Sequence, residues 1–206
     1  MISYIVIVLV AYFIGSLPTA YLLLKRKSNL DIRKEGSGNV GSMNAYEVSG
    51  SKVVGIIVGV GDALKGVIAV LVASKIMPDS FWAVALGLLV SIVGHNYSVW
   101  LRFKGGRGLA TAAGGLFAIG IGYTIFWCVI WAGVRITKKD ILFSNIVATI
   151  TAPIALLLCP ATWIQKLMIA SGSAVDYLEL SLLLSALLLL SHANVMREAF
   201  VGAKKL

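Results

Sequence analysis

Long apolar runs separated by short polar loops dominate this chain of 206 residues. The runs 1–24, 53–72 and 141–158 approach or reach the roughly 20 residues that an α-helix needs to cross a hydrocarbon layer about 30 Å thick. Only 13% of the residues are charged, and the mean hydropathy is +0.92. The pattern therefore predicts an all-α polytopic membrane protein and excludes an ordinary water-soluble domain.

The loops that carry Lys and Arg indicate how the chain crosses the membrane. Basic residues follow the first run at 25–27, so the positive-inside rule places the N-terminus outside and the C-terminus in the cytoplasm. A single crossing over 109–134 would export the basic segment 135–139, and a break at Gly120 and Gly122 avoids this. We therefore predict about seven short transmembrane or re-entrant helices, over residues 1–24, 53–75, 81–94, 109–119, 123–135, 141–158 and 177–190.

Composition argues against several other classes of protein. Cys128 and Cys159 lie far apart, with no CxxC pair or Cys/His cluster, so we interpret them as buried packing residues. The net charge of +9 is typical of nucleic-acid binding, but the cations lie in short loops, where orientation and anionic head groups explain them. We expect membrane lipids as partners and no nucleic acid.

The stretch 161–174 is amphipathic and predicts a segment lying flat at the outer interface.

The first polar cluster, residues 33–44, combines glycines with small polar side chains beside two cations. Its Gly36-x-Gly38-x-x-Gly41 spacing matches a dinucleotide-binding fingerprint, but the charged residues 31–35 do not predict the preceding β-strand that this fold requires. Consecutive backbone N–H groups in such a loop can turn inward on an anion. We interpret the cluster as an anion-binding loop, with a flexible turn between spans as the alternative. The polar partners in this interpretation are Ser37, Asn39, Ser42 and Asn44.

The second polar cluster, residues 94–111, places Lys104 and Arg107 around a pair of glycines that opens a helix. Fixed cations and a helix N-terminus can then face the same phosphate. The GxxxxGK[ST] spacing of a P-loop is absent. Cations that merely anchor the loop at the membrane surface are the alternative, but they do not account for Gly105, Gly106 and Gly108.

The third polar cluster, residues 191–197, lies on the same predicted side of the membrane as the other two. His95 and His192 both fall at the inner ends of predicted helices, and two histidines without a third ligand are a weak metal site. We expect a proton acceptor or a phosphate donor, with a purely structural role as the alternative. Asp62 and Lys65, three residues apart within a span, either neutralise each other or line a polar cavity.

These motifs together resemble the acyl-phosphate-dependent glycerol-3-phosphate acyltransferase family, PlsY. The matching segments are 11–16, 31–33, 36–41 with Asn44, 62–66, 94–95, 103–108 with 110–111, and His192 with Gly202. The resemblance implies a seven-helix enzyme of the bacterial cytoplasmic (inner) membrane, with its active site facing the cytoplasm. It also implies transfer of a fatty acyl group from acyl phosphate to the 1-hydroxyl of glycerol 3-phosphate, which gives lysophosphatidate and phosphate without a cofactor or a metal.

The resemblance assigns roles to residues of this chain. The implied catalytic residues are His192, Asn194, Ser37 and Arg107. The implied substrate-binding residues are Arg33, Gly36, Ser37, Gly38, Asn39, Gly41, Asn44, His95, Lys104, Gly105, Gly106, Arg107, Thr111 and Ser144. The proton acceptor is either His192 or the substrate's own phosphate, and the acyl chain is expected between apolar helices that open to lipid.

Several positions depart from the family pattern, among them Ser98, where relatives carry Pro, and Ser144, which lies out of register with the family's serines. Glu47 stands where relatives carry Arg, Arg107 replaces a Lys, and Val195 replaces an Asn, although Asn194 lies one place earlier. An acid at position 47 cannot clamp glycerol 3-phosphate, so we expect a divergent member with one domain over 1–206. The alternatives are a paralogue that acylates another polyol phosphate, and a non-enzymatic lipid-binding, phosphate-binding or transport protein.

Overall fold

The computed structural model of the chain describes the backbone of residues 1–203 and the side chains of residues 1–193. This part consists of α-helices, loops and two 3₁₀ turns, Ile32–Lys34 and Val99–Leu101, which confirms the all-α prediction. The helices are α1 Ile2–Ser16, α2 Thr19–Ser28, α3 Ser42–Ser49, α4 Lys52–Ile76, α5 Phe81–Asn96, α6 Leu109–Ile119, α7 Gly122–Lys138, α8 Ile141–Leu157, α9 Ala161–Leu167 and α10 Ala174–Ala203.

Several helical segments are long and apolar enough to cross a membrane. Among the described residues there are four, Ile2–Ser28, Lys52–Ile76, Phe81–Leu101 and Ala174–Ala193. A fifth is added if α8 and α9, which are bent by 118° at their junction, are counted as one span. The polytopic membrane character is therefore confirmed, whereas the count of seven crossings and the orientation of the termini stay predictions.

Helix breaks fall where backbone chemistry requires them. The predicted break between 119 and 123 is present, because α6 ends at Ile119 and α7 begins at Gly122. The predicted first span is interrupted at Leu17 and Pro18, since Pro lacks the N–H that would continue the helix. The predicted amphipathic stretch 161–174 is helical only as far as Leu167.

The cysteine prediction is wrong. Cys128 is exposed and Cys159 is half-buried, so neither is a buried packing residue. An apolar run indicates that a helix lies in a membrane, but it does not indicate which of its faces contacts protein and which contacts lipid.

Two compact units make up the described chain, and the first comprises residues 1–120 with 169–172. Its helices approach closely at small residues. A Cβ on Gly66 of α4 would meet the carbonyl oxygen of Thr111 in α6, and a Cβ on Gly94 of α5 would meet the carbonyl oxygen of Tyr12 in α1. Small residues allow the helix backbones to pack directly against one another, as is common in membranes. This packing brings α4, α5 and α6 together around one polar interior.

The second unit comprises residues 121–168 and the described part of 173–206. Hydrogen bonds from two stacked indoles join α7 to α8: Trp127 Nε1 donates to Thr149 Oγ1 at 3.0 Å, and Trp131 Nε1 donates to Asn145 Oδ1 at 2.8 Å. The hydroxyl of Tyr177 in α10 accepts a hydrogen bond from the first turn of α7. The prediction of a single domain over 1–206 stays a prediction.

Candidate active site

Asn44 holds the first polar cluster in one conformation. Its Oδ1 accepts a hydrogen bond from the backbone N–H of Ser37 at 2.9 Å. Its Nδ2 donates to the carbonyl oxygens of Glu35 at 3.1 Å and Asn39 at 3.0 Å. Asn44 is buried and its amide is engaged within the loop, so the structure gives it a role in positioning the loop. Its predicted contact with substrate stays a prediction.

Glycine is required at two positions of this loop. Gly36 and Gly38 have φ of +56° and +70°, the left-handed region that side chains with a Cβ disfavour. A Cβ on Gly36 would also meet Oδ1 of Asn44. The side chain of Ser37, between the two glycines, is left exposed. The loop therefore exposes the side chain of Ser37, while the hydrogen bonds of the buried Asn44 hold the loop backbone in place.

Asp31, which the sequence interpretation did not assign to the site, pairs with Arg33. The guanidinium donates from Nε to Oδ1 at 2.9 Å and from Nη2 to Oδ2 at 2.7 Å. These hydrogen bonds lower the pKa of Asp31 to about 2 and raise the pKa of Arg33. The guanidinium also lies 5.0 Å from the ring centroid of Tyr21. Arg33 is thus held in place on two sides.

The glycine loop, residues 104–108, is tied to the end of α5. The N–H of Gly105 donates to the carbonyl oxygen of Asn96 at 3.0 Å, and the N–H of Gly106 donates to that of His95 at 3.1 Å. A Cβ on Gly105 would meet the carbonyl oxygen of His95, and one on Gly106 would meet the His95 ring. Gly108, with φ of +78°, is the N-cap of α6 and provides no capping side chain. Only glycines allow this close approach.

A buried ion pair lies beside His95. Lys65 Nζ donates to Asp62 Oδ1 at 2.6 Å, and His95 Nδ1 lies 3.7 Å from the same oxygen. All three residues are buried: Asp62 is 2% exposed, Lys65 is 6% exposed and His95 is 7% exposed. Of the two alternatives drawn from the sequence, mutual neutralisation is therefore present, and it occurs within a polar interior shared with His95.

Asn96 and Thr111 have buried polar atoms without hydrogen-bond partners among the described residues. Asn96 is 5% exposed and Thr111 is 0% exposed, yet within the described part of the chain neither the Asn96 amide atoms nor Thr111 Oγ1 has a partner. A Cβ on Gly108 would lie 2.8 Å from Asn96 Oδ1, which places this amide against the start of α6. Leaving such a group unsatisfied costs about 1–3 kcal/mol. Both side chains therefore have hydrogen-bonding capacity available for a ligand or water.

The first and second polar clusters line one cavity, which we call the cationic cavity. Its volume is about 320 Å³, and its lining residues are Asp31, Arg33, Lys34, Leu101, Arg102 and Lys104. Four cations therefore surround one carboxylate, which Arg33 already engages. Arg107 is half-buried, and desolvation lowers its pKa. The cationic cavity is suited to a multiply charged anion such as a phosphate ester.

Two further predicted site residues belong to the second unit. His192 is buried, and its Nδ1 lies 2.8 Å from the carbonyl oxygen of Leu188. Because a carbonyl can only accept, Nδ1 carries the proton, and Nε2 is the basic nitrogen of the neutral ring. Ser144 is also buried, and its hydroxyl donates to the carbonyl oxygen of Asp140 at 2.5 Å. The predicted Asn194 lies outside the described side chains.

Comparison with known proteins identifies the family. A family model described as glycerol-3-phosphate acyltransferase matches residues 5–202, nearly the whole chain. The chain belongs to the glycerol-3-phosphate acyltransferase family. Its membership favours the enzymatic interpretation over the lipid-binding and transport alternatives.

Curated relatives of this glycerol-3-phosphate acyltransferase are close. It is 43% identical over 155 residues to glycerol-3-phosphate acyltransferase 2 of Moorella thermoacetica, and this match covers 75% of this chain and 78% of the relative. It is 32% identical over 196 residues to glycerol-3-phosphate acyltransferase of Aquifex aeolicus, which covers 95% of both chains. The expectation of a divergent member is therefore wrong, because a few departures at individual positions do not measure the similarity of the whole chain.

Solved structures match the fold of this acyltransferase. The crystal structure of PlsY, an integral membrane glycerol 3-phosphate acyltransferase, in its glycerol 3-phosphate form matches with a TM-score of 0.79 and 33% identity. Its lysophosphatidic acid form matches with a TM-score of 0.78 and 32% identity. Each match covers 97% of this chain and 93% of the other.

For this family member, sequence reasoning found most of the polar residues but missed two that the structure adds. Lys104 and Arg33 were predicted together and do share the cationic cavity. Asp31 was overlooked as the partner of Arg33, although an acid two residues before an Arg is a usable signal. Asn96 was overlooked because only tertiary contacts show that its amide is buried without a partner among the residues that the structure describes.

Proposed function

We propose that this glycerol-3-phosphate acyltransferase takes its acyl group from acyl phosphate. The 1-hydroxyl oxygen of glycerol 3-phosphate attacks the acyl carbonyl, and the bond between that carbon and the bridging phosphate oxygen breaks. An ester forms, inorganic phosphate leaves, and the hydroxyl proton passes to a base. The products are lysophosphatidate and phosphate, and the reaction needs no cofactor and no metal.

The cationic cavity is the observation that carries this proposal. Acyl phosphate is a mixed anhydride that already contains its leaving group, so the protein needs to align two phosphates rather than supply a nucleophile. Lys34, Arg102 and Lys104 provide positive charge for that task. Fixed cations and N–H donors are also the groups that stabilise charge as it develops in a transition state.

We assign the phosphate contacts to the first two polar clusters. The residues proposed to surround phosphate oxygens are Lys104, Gly105, Gly106, Arg107, Arg33, Ser37, Gly38, Asn39 and Gly41. The side chains of Asn96 and Thr111, which have no hydrogen-bond partner among the described residues, are proposed to supply further hydrogen bonds beneath the glycine loop. Gly36 and Asn44 are proposed to keep the first cluster in shape, and His95 supports the glycine loop through its carbonyl oxygen.

We propose His192 as the base, with its Nδ1 anchored to the carbonyl oxygen of Leu188. Such an anchored neutral imidazole has a basic Nε2, and general-base catalysis is worth about 10²–10⁴ in rate. Ser37, Arg107 and Asn194 complete the proposed catalytic set, and Ser144 is kept as a substrate contact. The substrate's own phosphate is the other candidate for the proton acceptor.

The proposed location is the bacterial cytoplasmic membrane, with the active site facing the cytoplasm. The membrane-spanning helices and the concentration of Lys and Arg in the loops around the cationic cavity support this orientation.

A donor comparison tests the reaction. Purified protein in detergent is given glycerol 3-phosphate with either palmitoyl phosphate or palmitoyl coenzyme A, and lysophosphatidate and phosphate are measured. We expect product with palmitoyl phosphate only, in equal amounts with released phosphate. Product formed only from the thioester would refute the acyl-phosphate donor.

Glu47 gives a reason to test the acceptor as well. It is exposed on α3, where the family resemblance leads us to expect an Arg. The same assay with a panel of polyol phosphates shows whether glycerol 3-phosphate or another polyol phosphate is the preferred acceptor. Faster phosphate release with another polyol phosphate than with glycerol 3-phosphate would favour the paralogue.

A further inference from the structure

Asp62, Lys65 and His95 are buried ionisable residues to which the proposed reaction gives no chemical step. Asp62 and Lys65 lie within the membrane-spanning segment Lys52–Ile76, and His95 lies within Phe81–Leu101. Ionisable side chains inside a span are costly, and they are commonly found where a membrane protein carries out its function. Lys65 Nζ donates to Asp62 Oδ1 at 2.6 Å, and His95 Nδ1 lies 3.7 Å from the same oxygen.

The other end of the His95 ring faces the glycine loop. A Cβ on Gly106 would meet His95 Nε2 first, and then Cε1 at 3.0 Å and Cδ2 at 3.1 Å. The N–H of Gly106 also donates to the carbonyl oxygen of His95 at 3.1 Å. Gly106 therefore contacts both the backbone and the ring of one residue. The imidazole spans the space between the ion pair of α4 and the glycine loop.

Neutralisation of charge does not by itself account for this arrangement. Lys65 alone balances the charge of Asp62, and a buried ion pair can often be replaced by apolar side chains without loss of stability. The position of His95 adds a second effect, because a carboxylate beside Nδ1 favours the ring tautomer with its proton on that nitrogen. The carboxylate thus orients the ring, and Nε2 faces Gly106.

We infer that Asp62 and Lys65 are positioning residues that act through the His95 ring and fix the glycine loop in the conformation that binds phosphate. This inference rests on the proposed function, because it takes the glycine loop as a phosphate site. Lys65 balances the charge of Asp62, Asp62 orients the ring, and the ring supports Gly106. A displacement of about 1 Å at a reacting centre can cost roughly 100-fold in rate, even when the altered residue is remote.

Two variants of the ion pair test the inference. Asp62→Asn/Lys65→Met removes both charges, and Asp62→Glu keeps the pair but moves the carboxylate by one methylene relative to His95. We expect both proteins to remain folded in detergent, with kcat/KM for palmitoyl phosphate lowered about tenfold or more. The control is Ser91→Ala, which removes a buried hydroxyl of α5 that donates to the carbonyl oxygen of Leu88, and its kcat/KM should match wild type. Wild-type kcat/KM in a folded pair variant would overturn the inference.

A double-mutant cycle with His95→Gln shows whether the pair acts through the ring. The fall in kcat/KM is measured for Asp62→Glu, for His95→Gln and for the two combined. We expect the combined variant to be within about twofold of His95→Gln alone, because the effects of residues that act as a unit are not additive. Falls that multiply would overturn the inference, since Asp62 would then act by a route that does not include His95.

Inorganic phosphate tests the glycine loop without turnover. The measurement is the rise in thermal midpoint that sodium phosphate causes relative to sodium chloride at equal ionic strength. We expect this rise in wild type and in Ser91→Ala, and a smaller rise in Asp62→Asn/Lys65→Met. An equal rise in all three proteins would overturn the inference. If wild type makes no lysophosphatidate from palmitoyl phosphate, the donor proposal fails, and the difference in stabilisation by phosphate still decides whether the pair positions the loop.

Discussion

The side-chain oxygen of Asn44 accepts a hydrogen bond from the backbone N–H of Ser37 at 2.9 Å. One buried amide thus connects the start of α3 to the exposed turn seven residues earlier. The same amide donates to the carbonyl oxygens of Glu35 and Asn39. The position of Ser37 therefore depends on a residue whose own hydrogen bonds stay within the loop.

Asn44→Asp should destabilise the protein as well as inactivate it. A carboxylate cannot donate to the two carbonyl oxygens, and unsatisfied buried groups cost about 1–3 kcal/mol each. We expect a lower thermal midpoint in detergent and a large loss of turnover. Ser37→Ala is the control: its side chain is exposed, so activity should fall at an unchanged midpoint. Inactive Asn44→Asp protein with wild-type stability would indicate direct substrate contact instead.

Lys104→Ala should weaken the binding of phosphate substrates. Loss of a charge-assisted hydrogen bond is worth about 1.5–3 kcal/mol, or roughly 10- to 100-fold in kcat/KM. The measurement is steady-state kinetics with each substrate varied in turn. Lys27→Ala removes an exposed cation of α2 that does not line the cationic cavity, and its kinetics should match wild type. Equal kinetic constants in the two variants would show that Lys104 does not contact the phosphate substrates.

Gly105→Ala should abolish activity by displacing the glycine loop. The added Cβ would meet the carbonyl oxygen of His95, which is backbone and cannot move aside alone. Turnover and elution as a monodisperse species are compared with those of Gly133→Ala, where the added Cβ meets nothing within 4 Å. Near-normal turnover in Gly105→Ala would show that the glycine loop is not needed in this conformation.

Asp62→Asn should be strongly destabilising, because it leaves the buried ammonium of Lys65 without its counterion. Breaking one partner of a buried pair costs about 3–5 kcal/mol. The double variant Asp62→Asn/Lys65→Met removes both charges and should recover much of the thermal midpoint. If the single and double variants unfold at the same temperature, the pair does not contribute to stability through its charge.

Acid should weaken the pair between Asp31 and Arg33 only at very low pH. The pKa of Asp31 is about 2 in the folded protein and 3.8 ordinarily, so its contribution to stability is present above about pH 4. The contribution is lost as the pH falls from about 4 to about 2. Thermal midpoints of wild type and Asp31→Asn should therefore differ by a constant amount from pH 5 to 8. If the two thermal midpoints converge above pH 5, the lowered pKa of Asp31 is contradicted.

The sequence by itself predicts the membrane class and most helix positions. Span 53–75 corresponds to α4, Lys52–Ile76, and the break between 119 and 123 is present. Hydropathy and helix-breaking residues are local properties, so they can be interpreted without knowing what packs against what. The same holds for the glycine-rich clusters, because positive φ and close backbone approach are requirements of individual positions.

Only the tertiary structure decides which polar groups satisfy each other. The pair of Asp31 with Arg33 and the engaged amide of Asn44 depend on distances between atoms that the sequence does not contain. The same holds for the Asn96 amide, which has no partner within the described part of the chain. The burial of Cys128 was predicted incorrectly for the same reason, because an apolar helix shows no difference in composition between lipid and protein neighbours. Hydrogen bonds act over about 3 Å, whereas hydropathy averages over a whole span, and a sequence contains only the second kind of information directly.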